Sequence, residues 1–157
     1  MSRTQNGNQK YVLIQRASAL SSSTDFKLAG EQMKQLMNEW KRIPSAGRKK
    51  DDILWQQFQA ERQRFYDCRK RCFEERKRVQ QQNIEAKRKI ISDAWSIARG
   101  GDYSKETAHR MKNLMSEWKT VGSVDKTTGD QLWNEFRNAN DHFWAAKREN
   151  SERKQYE

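Results

Sequence analysis

The sequence predicts an all-α protein: two tandem three-helix units that share one long connecting helix, in an elongated molecule. Three observations predict it. The chain superposes on itself at an offset of 78 residues, its apolar residues recur at helical spacing, and neither proline nor glycine interrupts Asp52 to Ala98. Self-similarity at a fixed period marks a repeated supersecondary unit, and apolar residues at i, i+3, i+4 and i+7 mark one face of a helix. Strand alternation is absent.

The repeat rests on an aromatic framework. Met33, Leu36, Met37 and Trp40 fall on Met111, Leu114, Met115 and Trp118, while Trp55, Phe58 and Phe65 fall on Trp133, Phe136 and Phe143. Upstream the offset becomes 77, and Leu13, Ile14, Ala17 and Leu20 match Ile90, Ile91, Ala94 and Ile97. A first helix is expected from about Lys10 to Leu20, ended by the serines Ser21 to Ser23 as Gly100 and Gly101 end its counterpart. A second runs from about Phe26 to Lys41, and Pro44 with Gly47 breaks the chain after it. The third opens at Asp51 or Asp52, where carboxylates suit the positive end of a helix dipole. From there 47 residues free of helix breakers carry the chain into the first helix of copy two, roughly 70 Å of α-helix.

These readings divide the chain into residues 1–9, a disordered N-terminus; 10–72, repeat one; 73–86, a helical spacer; 87–150, repeat two; and 151–157, a charged helical tail. Within the long helix Phe58, Phe65, Cys72, Val79 and Ala86 recur every seven places. The other seam position of a coiled coil is polar or small, so Arg69 to Lys89 reads as mostly solvated, with self-association the weaker reading.

Of 157 residues 34% are apolar and 34% charged, which suits small helical units better than one large core. The longest apolar runs are far too short to span a bilayer, and Met1 to Lys10 lacks the apolar stretch of a signal peptide, so a soluble, cytoplasmic protein is expected. Net charge is +11, and it is local: Lys41 to Lys89 holds 16 basic and seven acidic residues, whereas Gly101 to the end holds ten of each. The surplus comprises the loop cations Lys41, Arg42, Arg48, Lys49 and Lys50, then Arg62, Arg69, Lys70, Arg71, Arg76, Lys77, Arg78 and their neighbours on the helix. KRIPSAGRKKDD in copy one corresponds to KTVGSVDKTTGD in copy two, so the fold does not require most of those cations. Such cations suit a phosphate backbone. For the helix, ordinary solvation is an equal reading; for the loop, contact is favoured. A membrane-surface helix would need a broader apolar face.

Trp40, Trp55, Trp118 and Trp133 occupy equivalent places and read as core. Trp95 and Trp144 have Ser18 and Tyr66 as counterparts, and read as interface residues, either between copies or toward a partner. Cys68 and Cys72 could offer two metal ligands at one helical turn, but His109 and His142 share no motif with them, so no metal site and no cofactor is expected. No catalytic motif appears, and the adjacent acids Asp51 with Asp52 and Glu74 with Glu75 diverge on a helix by about 100°. The chain is expected not to be an enzyme.

Glu39 and Trp40 followed by Leu54, Trp55, Phe58 and Phe65, and again Glu117 and Trp118 followed by Leu132, Trp133, Phe136 and Phe143, resemble a bacterial helical repeat family. It is catalogued as domain of unknown function number 349. The resemblance implies two tandem all-helical copies and carries no catalytic or ligand residues. From the charge, the expected function is a non-enzymatic nucleic-acid-binding module, RNA favoured and ribosome-associated in one version. The alternative is a rigid helical adaptor for a protein partner, an acidic surface being able to use the same cations.

Overall fold

The computed structural model describes residues 2–156, which form five helices: α1 (Arg3–Ser21), α2 (Phe26–Arg42), α3 (Arg48–Arg99), α4 (Lys105–Thr120) and α5 (Lys126–Tyr156). Among the described residues there is no strand. The chain divides into two units, Met1–Glu75 and Arg76–Glu157, and α3 is continuous through the division.

In the first unit α1 contributes Leu13, Ile14 and Ala17, α2 contributes Ala29, Met33, Leu36 and Trp40, and α3 contributes Phe58 and Phe65 to one core. In the second, Ile90, Ile91, Ala94, Ile97 and Ala98 of α3 meet Ala108, Met111, Leu114 and Trp118 of α4 and Leu132, Phe136, Ala139 and Phe143 of α5. Each unit is thus three helices burying one apolar stripe apiece. The centre of each is the same stack. Trp40 lies 4.4 Å from Phe58 at 8° between planes, and Trp118 lies 4.8 Å from Phe136 at 12°.

Three expectations are corrected. Residues 1–9, read as disordered, include two turns of α1, because Ser2 and Gln5 form a reciprocal capping box and Asn6 and Lys10 are buried against the rest of the unit. Met1 itself, like Glu157 at the other end, lies outside the described residues. The third helix opens at Arg48, one turn before Asp51, because Gly47 takes the helix-entry position at φ +106°, where other residues are strained. Finally, Trp55 and Trp133 are not core: they remain 38% and 37% exposed, lying tilted against Trp40 and Trp118 with one face to water.

The solvated stretch is also shorter than the Arg69 to Lys89 expected, because the end of the spacer 73–86 packs on the second unit. Asn83 and Ile84 belong to the second unit: Asn83 Nδ2 donates to Ser123 O at 2.9 Å, and Ile84 packs on the core.

Candidate functional site

The loop between α2 and α3 is shaped by Asp51. Its carboxylate accepts from Ser45 Oγ, from Ala46 N at 2.9 Å and from Lys10 Nζ at 3.0 Å. Those hydrogen bonds, the one from Ser45 first, hold its carboxyl well below the usual range, at about 2. Lys10 Nζ also sits 5.4 Å from the centre of the Trp40 ring, so a single cation joins α1 to the loop and to the core stack. Asn6 Nδ2 donates to Ser45 O at 2.9 Å one turn earlier. The loop is therefore held by α1.

Around this loop lie the expected cations. Lys41 and Arg42 end α2, where the helix dipole favours positive charge, whereas Arg48, Lys49 and Lys50 open α3, where it disfavours it. All five are exposed, and among the described residues none enters an ion pair. The second unit keeps the scaffold and, with Lys119 and Lys126 in the places of Lys41 and Arg48, only part of the charge. Lys87 repeats Lys10, 4.9 Å from the Trp118 ring, and Asn83 repeats Asn6, but Thr120, Thr127 and Thr128 stand for Arg42, Lys49 and Lys50. Asp125 caps α5 by accepting from Thr128 N, which lowers its carboxyl in turn.

The remaining cations of the expected site divide further. Arg62 is half-buried, its guanidinium 6.0 Å from the Phe58 ring and 5.9 Å from Tyr66, with Nη1 donating to Gln59 Oε1. Arg69 lies 5.0 Å from the Tyr66 ring. Both cover aromatic surface of the first unit. Lys70 and Arg71 are exposed beside Asp67 and Glu74, with which they line a shallow groove. Arg76, Lys77 and Arg78 are exposed on α3 but belong to the second unit.

Trp95 and Trp144 are half-buried against their own unit. Trp95 meets His142 edge-on and Arg99 at 4.4 Å, while Trp144 Nε1 donates to Asn140 Oδ1 at 3.0 Å and its ring takes Lys112 at 5.8 Å. Cys68 and Cys72 are free thiols, half-buried. Among the described residues no group of His, Cys, Asp and Glu is placed to hold a metal ion, and no helix is long and apolar enough to cross a membrane.

A family model described as Domain of Unknown Function (DUF349) matches residues 1–49 and 53–127. The chain belongs to the DUF349 family. The matched segments meet in the first turns of α3, and the first begins at residue 1, so the family pattern includes the N-terminal turns of α1. No curated protein and no solved structure matches the chain.

Of the two residues that position this DUF349 loop, Asn6 lies in the stretch expected to be disordered, and Lys10 opens the expected first helix with no role assigned to it. A signal was available. At the offset of 77, Asn6 falls on Asn83 and Lys10 on Lys87, identities that the apolar framework does not explain.

Proposed function

We propose that this DUF349 chain is a non-enzymatic, cytoplasmic nucleic-acid-binding module, RNA favoured, that holds phosphate backbone on Lys41, Arg42, Arg48, Lys49 and Lys50 of its first unit. One observation carries the reading. Two homologous loops on the same scaffold differ in charge: beside the pair matched by Lys119 and Lys126, the first adds exposed Arg42, Lys49 and Lys50 where the second has threonines, and all of these are separate from the packing cations Lys10 and Lys87. Arg48, Lys49 and Lys50 stand against the helix dipole, so local helix stability does not account for them. Phosphate contacts position a ligand without reading its bases, and the expected binding is sequence-independent. Lys70 and Arg71 would extend the surface along α3. Association with the ribosome, where phosphate backbone is densely exposed, fits the same chemistry.

The test is fluorescence anisotropy with labelled RNA across about 50 to 200 mM salt. The reading expects steeply salt-dependent binding that is lost when Arg48, Lys49 and Lys50 are all replaced by glutamine, with circular dichroism unchanged. Absence of binding at low salt overturns it.

A second reading, a rigid adaptor for a protein, draws support from Phe73, which is 63% exposed on α3. It draws less from Trp95 and Trp144, whose rings already have partners within their own unit. Substituting Phe73 would separate the two readings, since RNA binding does not require it.

A further inference from the structure

Next to the loop cations, α1 and α3 enclose a groove of about 380 Å³. Asn8, Tyr11, Lys50, Ile53, Leu54 and Gln57 line it. Tyr11 and Ile53 are open to water there, 52% and 57% exposed. An exposed ring beside an exposed aliphatic side chain forfeits hydrophobic stabilisation unless something covers it.

The second unit shows that the fold does not require this groove. Where the first has Tyr11, Lys50 and Ile53, the second has Arg88, Thr128 and Gln131, while Leu132 keeps the place of the half-buried Leu54. Trp55 is the instructive contrast. It too is exposed, but Trp133 repeats both its exposure and its packing, so its position belongs to the shared scaffold. Tyr11 and Ile53 are particular to the unit that also carries the basic loop, and Lys50 is common to loop and groove.

A flat ring with an ammonium at one side and no carboxylate among the lining residues matches one ligand chemistry: a planar, apolar-faced group joined to an anion. We propose that the groove takes an unstacked base of single-stranded RNA, stacked on Tyr11 beside Ile53, with Lys50 Nζ on the adjoining phosphate and the Asn8 and Gln57 amides at the base edge. This rests on the RNA reading above and adds to it a preference for single strands. Base faces in a duplex are covered by their neighbours and cannot reach the ring.

Anisotropy would be measured with three labelled probes: an oligouridylate of about twelve nucleotides, an abasic ribose-phosphate strand of equal length, and an RNA duplex. The native chain should bind the oligouridylate about tenfold more tightly than the abasic strand, the contribution of one stacked base. Tyr11→Ala should remove that difference and leave abasic-strand and duplex affinities unchanged, and Tyr11→Phe should retain it. Equal affinity for oligouridylate and abasic strand, with both lost in the triple glutamine variant, overturns the base groove while the phosphate reading stands. A Tyr11→Ala variant that binds oligouridylate like the native chain has the same meaning. No binding of any strand overturns both, and leaves the groove to an acidic peptide.

Discussion

Lys10 and Asp51 illustrate how much one pair can settle. The Lys10 side chain is 7% exposed and reaches Asp51 from another helix, so its removal strands a carboxylate and uncovers the Trp40 ring together. Lys10→Ala should cost about 2 kcal/mol in urea denaturation, below the range for a fully buried pair because Asp51 is 26% exposed and keeps Ser45 and Ala46. Lys87→Ala, which loses a ring contact, should cost only about 0.5 to 1 kcal/mol. The same aspartate makes stability depend on pH. Its carboxyl is held at about 2 in the folded chain and returns to the ordinary aspartate range on unfolding. The contribution is therefore complete above about pH 4 and disappears as pH falls toward 2. Asp102 and Asp125, lowered by hydrogen bonds from Ser104 and Thr128, add to the same acid limb. Thermal melts between pH 5 and 2 should show Asp51→Asn with a shallower loss than the native chain, and an unchanged slope would contradict the assigned hydrogen bonds.

At the scale of the helix, the two kinds of aromatic on α3 and α5 should respond differently. Phe58 and Phe136 are wholly buried under the indoles of Trp40 and Trp118, and truncation to alanine should cost about 3 to 5 kcal/mol in either unit. Trp55→Ala and Trp133→Ala remove a ring with one face already in water, and about 1 to 2 kcal/mol is expected. Denaturant midpoints of the four variants would check that order. The entry to α3 adds a backbone effect. Gly47 at φ +106° lets the loop turn before Arg48, and Gly47→Ala should destabilise by about 1 to 2 kcal/mol although nothing stands in the way of a methyl group. α5 needs no such turn, because Asp125 in the equivalent place accepts from Thr128 N as an ordinary cap.

Over the whole molecule, the net charge of +11 predicts salt-sensitive association with polyanions, but not its location. If the first-unit cations hold a single strand, the slope of log K against log salt should fall in magnitude by about 1.4 when two of them, Arg48 and Lys49, become glutamine. Replacing Arg76 and Lys77 of the second unit instead should change the slope by less. Equal changes would mean that charge acts diffusely and that the loop has no special part. The cations along this helix are not equivalent. Arg62 and Arg69 are occupied by the Phe58 and Tyr66 rings, so they are weaker candidates for phosphate contact than their number in the sequence suggests.

The number of helices, the duplicated unit and the continuity of α3 were legible in the sequence, though not where α1 and α3 begin. Each follows from local periodicity or from the absence of breakers, and the 78-residue offset is visible without coordinates. The sequence also located the charge, because charge is counted along the chain. Only the tertiary structure decided which cations are free. Lys10 meets Asp51 and Asn6 meets Ser45 across 41 and 39 residues, contacts that depend on how helices pack; the repeat marks the two residues but not what they touch. The same holds for Trp55 and Tyr11. Whether a ring on a helical stripe is buried, half-open or lining a groove is set by the neighbouring helices, and spacing along one helix specifies only the direction in which that ring points.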